Sequence, residues 1–532
     1  MTLTEKTPQV VETDKVSNFP QNVPIPHQKD KDMSTYSKFL AIYTRHPETQ
    51  EIYCIEEKQG CKFEENWEDF KKFLTTEKFS YSSQTTKIKE YVVDANSSKI
   101  FSETIELPFK ISEYKRDGEN QIRGCVTTIE DENDFNDWFV FHILDQSRMH
   151  NHEKSIDVEV AKVKYHEIFT DYFASNLKNT IVGDEWEKGG RDYFIDRVKY
   201  FTDRYLRIEC ILPAFPCKSS NQNKVNGTMP DKGEELALRR LIKATTEVSK
   251  VYPPGMKVWI VSDGHVFSDC IGVDDDIVST YTGQLHTLYE TIKSDDSDPI
   301  GFCGLNDLFF TGLAADLFDP NWVSDLKLPH YTGTKICSVS ELSRQILMKG
   351  CDTDDGRLKT EINIPGHPRL YLYRGFSKFM AEDLSLLPYF SGCSRKGFKK
   401  TVSKIAFNMI RRNDAYSNLV ELVFPNYVRI SIHAHTNKGP KYGIKVISTN
   451  QCRTVKSLED INAEPTFEDL LHIPTPWHNC VVKVENSSDG NIEFFLTKSK
   501  IVKDGLESGK FQGAWKETCI ENGEGGYYSI VK

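Results

Sequence analysis

Between residues 206 and 308, short apolar stretches of strand length alternate with longer stretches of helical periodicity. The predicted strands are LRIECILPAF (206–215), KVWIVSDG (257–264) and IGFCGLNDL (300–308). The first intervening helix presents one face made of Leu238, Leu241, Ile242, Thr245 and Val248. The second, capped by Asp274 or Asp275, presents Ile277, Val278, Tyr281, Leu285, Leu288 and Ile292. This alternation predicts an α/β fold with a Rossmann-like, mostly parallel sheet core.

The second half of the chain has a different pattern. RLYLYRG (369–375) is a predicted strand, and RKGFKKTVSKIAFNMIRR (395–412) is a predicted basic helix. In YVRISIHAH (427–435), apolar and polar residues alternate, which predicts a strand with one polar face. Further strands are predicted in KYGIKVIS, CVVKVE and IEFFLTK. We therefore expect an α+β second half with antiparallel pairing.

A length of 532 residues indicates about three domains at the usual domain size. We expect a disordered tail (1–34), a small mixed α/β N-terminal extension of unknown role (35–150) and a large core (155–485), followed by C-terminal strands and a tail (486–532). The core is expected to divide into a Rossmann-like part (155–335) and an α+β part (336–485).

Composition narrows the class of protein. The net charge of −11 is unfavourable for an extended nucleic-acid interface, although a local basic pocket remains compatible with it. The 13 cysteines include no CxxC pair, which is typical of a reduced intracellular protein. The sequence shows no secretory leader and no apolar run of membrane-spanning length. We therefore expect a cytoplasmic protein that binds neither nucleic acid nor a membrane.

A long polar loop, PAFPCKSSNQNKVNGTMPDKGE (213–234), joins the first predicted strand to the following helix. It brings Lys218, Asn221 and Lys224 close together, and ammonium and amide groups suit a phosphate or carboxylate ligand. Asp231 and Glu234 fall at the helix start, where carboxylates interact favourably with the helix dipole. The alternative interpretation is a solvated surface loop.

The next acidic stretch is SDGHVFSDCIGVDDD (262–276), at the end of the second predicted strand. Asp263, His265 and Asp269 could hold a metal ion, or His265 could perform acid/base chemistry with a carboxylate beside it. A turn at Asp263 and a helix cap at Asp274 would explain part of the stretch without any chemistry. Those roles leave His265 and Asp269 unexplained.

Two weaker signals lie in the second half. Arg429, Ser431 and His433 share one face of the predicted strand 427–435, and His435 continues that face. A His-x-His pair can bind a metal, and Arg429 with His433 could instead contact an anionic substrate; a polar outer face is the third option. Arg374 precedes a glycine at the predicted end of strand 369–375, where an anion could be held.

Dinucleotide-binding, Walker, GxSxG and HExxH motifs are absent. The chain contains, in order, LPAFPCKSSNQNKVNGTMPDKGEELAL, SDGHVFSDCIGVDDDIV, YRGFSKFM, YVRISIHAH, KYGI and TPWHN. This series resembles the pyoverdine/dityrosine biosynthesis family, the isocyanide (isonitrile) synthases. The N-terminal extension and the length are similar to the fungal, spore-wall branch of that family.

The resemblance implies a reaction. Bacterial members condense the α-amine of tyrosine or tryptophan with the C2 ketone of ribulose 5-phosphate, and fragmentation of the sugar leaves one carbon on nitrogen as an isocyanide. The fungal branch is linked to N-formyl tyrosine, which a partner cytochrome P450 couples into a dityrosine precursor. An isocyanide hydrates to a formamide, so the two products fit one pathway. L-Tyrosine and a sugar phosphate are the implied substrates, with no cofactor and no metal.

The same resemblance implies roles for the candidate residues. Lys218, Lys224, Arg374 and Arg429 are candidates for the sugar phosphate, with Asn221 and His433 beside them. His265, with Asp263 or Asp269, is the candidate for proton transfer during imine formation. Asp231 or Glu234 would hold the substrate ammonium. Two other classes stay open: a metal-dependent hydrolase or oxygenase using His265, His433 and His435, and a non-catalytic binding protein.

Overall fold

The protein is described here by a computed structural model. It describes residues 39–46, 52–57, 86–93, 109–115, 122–127, 136–137, 140–141, 143–144, 147–149, 162–293, 298–310, 323, 325–352, 355–433, 435–459, 475–485 and 492–531. The tail predicted over 1–34 lies outside these residues.

The N-terminal extension contributes a five-stranded antiparallel sheet in the order β2-β1-β5-β4-β3. Its strands are β1 (Phe39–Arg45), β2 (Ile52–Glu57), β3 (Thr86–Val93), β4 (Phe109–Lys115) and β5 (Ile122–Thr127). Helical residues follow, and among them Val140, Ile143 and Leu144 are buried in the main hydrophobic core. The end of the extension is therefore packed against the rest of the protein.

The central sheet has five strands in the order β10-β9-β6-β7-β8, and every neighbouring pair is parallel. The strands are β6 (Ile208–Pro213), β7 (Met256–Ser262), β8 (Ile300–Gly304), β9 (Val428–Ser431) and β10 (Tyr442–Gly443). The predicted α/β class with a mostly parallel sheet is thus confirmed. Inner strands of such a sheet are covered on both faces, which explains their continuous apolar sequence.

Helices connect and cover these strands. In the first part of the fold they are α1 (Tyr165–Asn176), α2 (Gly190–Thr202), α3 (Lys232–Val251), α4 (Gly264–Ile271), α5 (Asp275–Ile292) and α6 (Leu305–Phe310). They continue with α7 (Ser338–Cys351), α8 (Asp355–Glu361), α9 (Pro368–Leu384), α10 (Arg395–Val423) and α11 (Ser499–Glu507). The two helices predicted between the first three strands correspond to α3 and α5.

The start of α3 is defined by a capping box. Asp231 accepts a hydrogen bond from the Gly233 N–H at 2.8 Å, and the Glu234 side chain accepts one from the Asp231 N–H at 2.9 Å. Both bonds satisfy backbone donors that a helix end would otherwise leave unpaired.

The strand predicted over 369–375 is wrong, because these residues form the beginning of α9. Pro368 occupies the first turn, and the His367 ring accepts a hydrogen bond from the Arg369 N–H at 3.2 Å. Alternating Leu and Tyr over five residues favoured a strand, but Tyr371 and Leu372 are both exposed on the helix. Arg374 is consequently an exposed residue of α9 and does not stand at a strand end.

The antiparallel pairing predicted for the second half of the chain does not extend to strand 427–435. Its extended part, β9, is four residues long and runs parallel to β6 on one side and to β10 on the other. All four side chains are buried, including Arg429 and Ser431, because β9 is an inner strand. The central sheet therefore crosses the boundary predicted between residues 335 and 336.

A third, mixed sheet closes the C-terminal part, in the order β11-β13-β12-β15-β14. Its strands are β11 (Cys452–Thr454), β12 (Cys480–Val484), β13 (Phe494–Thr497), β14 (Gln512–Lys516) and β15 (Tyr527–Val531). The boundary predicted at 485 and 486 falls between the paired strands β12 and β13. The segment before β15 contacts the start of α3, where the Lys232 N–H donates to the Gly526 carbonyl at 2.9 Å.

Within the described ranges, no helix has both the length and the apolar composition that crossing a bilayer requires.

Candidate active site

The carboxyl ends of β9, β6 and β7 lie side by side, and each leads into one of the sequence motifs. Ligands of open parallel sheets bind at this edge, so we place the candidate site here. Phe215, in the loop after β6, has a left-handed backbone with φ of 56°. Such strain in a non-glycine residue is found at functional sites. The Phe215 carbonyl accepts a hydrogen bond from the Ser262 hydroxyl at 3.1 Å, which ties the loop to the end of β7.

The segment Thr475–Asn479, part of the TPWHN motif, covers the loop after β6. The Trp477 ring lies 5.2 Å from that of Phe215, centre to centre, and the Trp477 carbonyl accepts the Ser219 N–H at 2.9 Å. Two motifs separated by more than 250 residues therefore form one wall of the site.

Asp263 follows β7 at the N-cap position of α4, but its side chain makes no capping hydrogen bond. Its Oδ1 atom is buried and has no hydrogen-bond partner in the described part of the chain. Burial raises the pKa of Asp263 to about 6. A carboxyl group with a pKa close to neutrality and one oxygen without a described partner can accept and return a proton.

His265 points away from the two carboxylates predicted to assist it. Its Nε2 lies 3.1 Å from the Ser279 hydroxyl and 3.3 Å from the Asp275 carbonyl, both on α5. Burial lowers the His265 pKa, so its ring is neutral near pH 7. Among the described contacts, no hydrogen bond joins this ring to Asp263 or Asp269.

Asp269 is a buried member of an ion-pair network. Arg412 of α10 binds both of its carboxylate oxygens, one at 2.9 Å, and His330 Nδ1 lies 2.8 Å from Oδ2. Burial alone would raise the Asp269 pKa, but Arg412 and His330 hold it below the usual range. Asp269 is therefore a fixed anion that anchors α4.

A second buried arginine holds α4 from another direction. Arg344 of α7 donates to both carboxylate oxygens of Asp275 at 3.0 Å and to the His265 carbonyl at 3.0 Å. Its side chain is fully buried. The helix that follows Asp263 is thus fixed between two arginine–carboxylate pairs, and a charge pair of this bidentate kind is geometrically specific.

Lys218, Asp231 and Glu234 form one buried cluster at the start of α3. Lys218 Nζ lies 2.7 Å from a carboxylate oxygen of each acid and donates to the Pro476 carbonyl at 3.1 Å. The contacts with Glu234 and Pro476 are hydrogen bonds, and the contact with Asp231 adds an ion pair. Burial and the charge of Glu234 raise the pKa of Asp231 to about 8, against the opposing effect of Lys218. The structure places all three predicted residues together, but with one another as partners.

Lys224 and Asn221 are likewise bonded within the protein. Lys224 forms an ion pair with Asp383 of α9, and Glu382 lies 3.3 Å away. The Asn221 amide donates to the Glu382 carbonyl at 3.0 Å, and its oxygen accepts the Asn223 N–H at 2.9 Å. The polar loop is therefore a folded, largely buried segment and not a solvated one.

Arg429 and the histidines after β9 occupy the other side of the site. Arg429 pairs with Glu421 of α10 and donates to the Ser417 hydroxyl at 2.9 Å. The His435 ring lies 3.0 Å from the Ser431 hydroxyl, and His433 is exposed to solvent. Of the predicted anion-binding residues, His433 alone combines a strand-end position with an exposed side chain.

The metal hypothesis required His265 to meet His433 and His435. His265 lies next to Gly304 at the end of β8, whereas the other two histidines follow β9. Three strand spacings separate β8 from β9, which corresponds to about 14 Å. In the described residues, no three His, Cys, Asp or Glu side chains form a group that could hold a metal ion. This geometry does not favour the metal-dependent alternative.

Several site residues were missed from the sequence. Arg344 and Arg412 carry no local signal for this role, because the aspartates that they bind lie 69 and 143 residues away. His478 stood within the TPWHN motif, and its Nδ1 atom is buried without a described partner. A histidine inside a motif at a loop was the available signal.

An open parallel sheet with a strained loop, an unpaired carboxyl group and basic side chains at its carboxyl edge defines an α/β ligand-binding or catalytic protein. The family model described as "Pyoverdine/dityrosine biosynthesis protein" matches residues 198–509. The chain belongs to this family, as the motif series predicted.

Individual relatives agree with the family assignment. The chain is 63% identical over 512 residues to the spore wall maturation protein DIT1 of Saccharomyces cerevisiae, covering 96% of this chain and 94% of that protein. It is 32% identical over 310 residues to the L-tyrosine isonitrile synthase of Xenorhabdus nematophila, covering 58% of this chain and 76% of the relative. The chain is therefore an enzyme related to the isonitrile synthases.

Among solved structures, the PvcA protein of Pseudomonas aeruginosa matches with a TM-score of 0.52 at 24% identity. The match covers 69% of this chain and 99% of that one, and it supports the fold.

Proposed function

We propose that the enzyme condenses the amino group of L-tyrosine with ribulose 5-phosphate to give tyrosine isocyanide or its hydration product, N-formyl tyrosine. The observation that carries the proposal is the 63% identity, over nearly the whole chain, to a spore wall maturation protein. A relative named L-tyrosine isonitrile synthase supports the choice of amino acid. The product would serve as a precursor of dityrosine in a spore wall.

The proposed reaction begins with attack of the neutral amine on the C2 ketone of the sugar. The resulting carbinolamine loses water to give an imine, and both steps move protons. Asp263 is the group suited to this task, because its Oδ1 atom has no described hydrogen-bond partner and burial raises its pKa to about 6. We assign His265 and Asp269 to the positioning of α4, since their side chains are bonded elsewhere.

The cluster of Lys218, Asp231 and Glu234 is assigned a different role from the one expected. A substrate ammonium would need a carboxylate with free capacity, and Lys218 already neutralises one of the two acids. All three side chains are buried, which excludes direct contact with a substrate in this conformation. We infer that the cluster fixes the loop after β6 against Thr475–Asn479.

The test is incubation of the purified full-length protein with L-tyrosine and ribulose 5-phosphate labelled with ¹³C at C2, followed by mass spectrometry. The proposal predicts a tyrosine derivative with one additional carbon that carries the label, as an isocyanide or a formamide. Unmodified tyrosine, or an unlabelled adduct, would contradict it. L-Tryptophan in place of tyrosine tests the amino acid choice.

Two further parts of the proposal concern the surroundings of the enzyme. Joining two N-formyl tyrosines through their rings is an oxidation, and a downstream cytochrome P450 is the inferred partner. A cytoplasmic location is inferred as well, where free tyrosine and a pentulose phosphate are both available.

A further inference from the structure

The wall of the site after β9 is basic, although the whole chain has a net charge of −11. The residues that connect β9 to β10, 432–441, provide His433, His435 and Lys441. Of the cationic residues predicted to bind phosphate, Lys218 and Lys224 are buried in ion pairs and Arg374 is on α9. An anion at the strand ends would therefore have to be bound by other basic groups.

Lys441 is held in place by a hydroxyl group and not by a carboxylate. Its Nζ donates to the Ser417 hydroxyl of α10 at 3.0 Å, and the same hydroxyl accepts from Arg429 at 2.9 Å. Arg429 is balanced by Glu421, whereas Lys441 has no ion pair within the described part of the chain. Lys441 therefore keeps an unneutralised charge and two N–H groups for a ligand.

The two histidines are arranged around Ser431, the last residue of β9. The His433 N–H donates to the Ser431 hydroxyl at 3.1 Å, and the His435 ring lies 3.0 Å from it. The His433 side chain projects into solvent from this turn. A backbone turn thus presents two imidazoles from the end of an inner parallel strand.

A second basic group, His478 and Lys498, lies near these residues. Lys498 Nζ donates to the His478 carbonyl at 2.7 Å, and the His478 ring packs on Phe379 with ring centres 5.1 Å apart. The buried Nδ1 of His478 has no described partner. His433 is within electrostatic range of both His435 and His478, so the two basic groups lie close to each other.

We propose that Lys441, His433 and His435 bind the phosphoryl group of the sugar phosphate, with His478 close by. This inference deepens the proposed function and rests on it for the identity of the ligand. A phosphate monoester is a compact dianion, and it matches N–H donors that form no described ion pair with a carboxylate. The amino acid would then lie nearer to Asp263, at the end of β7.

The electrostatics of these residues agree with this assignment. Burial and the neighbouring cations lower the pKa of His435 to about 4 and of Lys441 to about 8. The same two causes lower the pKa of His478 to about 3. The charged groups that act on these three residues are His433, Arg429, Lys441, Lys224, Lys498 and Lys218, opposed by Glu421 and Asp414 near Lys441. A bound dianion would raise all three pKa values, so binding should be accompanied by proton uptake.

The first experiment is titration calorimetry of the full-length protein with inorganic phosphate at pH 8, where most of the phosphate is already the dianion, in two buffers of different ionisation enthalpy. The proposal predicts binding with net uptake of protons by Lys441, and affinity that increases between pH 9 and pH 8. Binding without proton uptake would show that phosphate does not raise the pKa values of these residues, and it would overturn the placement of the phosphate site there.

The second experiment compares Lys441→Gln and His435→Asn with Lys438→Gln. Lys438 lies in the same loop but is 66% exposed and pairs with Glu185, so it is a matched control. We expect phosphate binding to weaken at least about tenfold in the first two variants, the loss of one charged hydrogen bond, and to stay unchanged in the control. Equal binding in all four proteins would overturn the proposal, and circular dichroism melting confirms that each variant is folded.

Steady-state kinetics separate this inference from the proposed function. If wild type converts tyrosine, Lys441→Gln should raise KM for ribulose 5-phosphate about tenfold or more and leave KM for tyrosine unchanged. An unchanged KM for the sugar phosphate would overturn the site and leave the function standing. If wild type forms no product while Lys441→Gln still loses phosphate, the anion site stands and the proposed function fails.

Discussion

The carbonyl oxygen of Pro216 lies 2.3 Å from the point where a β-carbon on Gly264 would stand. This close approach brings the loop after β6 against the first turn of α4, directly beside Asp263. The same virtual β-carbon would lie 2.6 Å from Cγ1 of Val278, so neither neighbour leaves room for a side chain. Only glycine allows the two strand ends to meet in this way.

Gly264→Ala is therefore expected to lower activity together with stability. A methyl group would push α4 away from Pro216 and destabilise the fold by about 1–3 kcal/mol, the usual range for overpacking. The measurement is urea unfolding combined with the tyrosine assay. Gly283→Ala is the matched control: its β-carbon meets nothing within 4 Å on α5, so it should gain up to about 1 kcal/mol and keep full activity. Identical behaviour of the two variants would contradict the close contact.

Lys218→Met should unfold more easily, because it leaves the ionised member of the Asp231–Glu234 pair buried without a counter-ion. Breaking a buried ion pair on one side costs about 3–5 kcal/mol. The midpoint of urea unfolding measures the effect, and Lys250→Met at the exposed end of α3 is the control. A Lys218→Met protein with wild-type stability and a raised KM for the sugar phosphate would instead show that Lys218 contacts the sugar phosphate.

His330 should make stability depend on alkaline pH. Its hydrogen bonds to Asp269 and Glu341 raise the His330 pKa from 6.5 to about 9. A group with a raised pKa stabilises the fold fully below its unfolded pKa and loses this contribution as pH rises through the folded value. The free energy of unfolding of wild type should therefore exceed that of His330→Gln by at most about 3 kcal/mol at pH 6. The difference should disappear by pH 10.

The comparison is a pair of urea unfolding curves for wild type and His330→Gln at each pH. Other groups that titrate in this range affect both proteins equally and cancel in the difference. A gap between the two proteins that is the same at pH 6 and pH 10 would show that His330 is not charged in the folded state.

The parallel sheet was predictable because its signals are local. Each of the stretches 206–215, 257–264 and 300–308 is bounded by turn residues, and the helices between them repeat over several turns. The strand predicted over 369–375 was wrong for the opposite reason, since five residues that alternate with a period of two are too few to exclude a helix. The pairing of β9 with β6 joins residues more than 200 positions apart, which no local pattern encodes.

The candidate site was likewise predictable only in part. The strand-end rule located the loops after β6 and β7 correctly. The rule could not show that the cations of the first loop form ion pairs with buried carboxylates. In the Lys224–Asp383 pair, for example, the carboxylate comes from α9, 159 residues away. Residue types predicted an anion site, but the distribution of counter-charges decides which cations remain available.

Asp263 is the residue on which the proposed chemistry depends most. Asp263→Asn keeps the size of the side chain and removes only the titratable group, so folding should be unaffected. Asp276→Asn, on the exposed first turn of α5, is the matched control. General acid–base groups contribute about 10²–10⁴-fold to rates, and kcat should fall by that factor in the first variant alone.

The most direct measurement is the pH dependence of kcat/KM for labelled product formation by wild type, Asp263→Asn and Asp276→Asn. Wild type and Asp276→Asn should lose activity as pH falls through about 6, the pKa to which burial raises Asp263. Asp263→Asn should be at least about 10²-fold slower and should lack this acidic limb. An Asp263→Asn protein with wild-type rates and the same acidic limb would contradict the account.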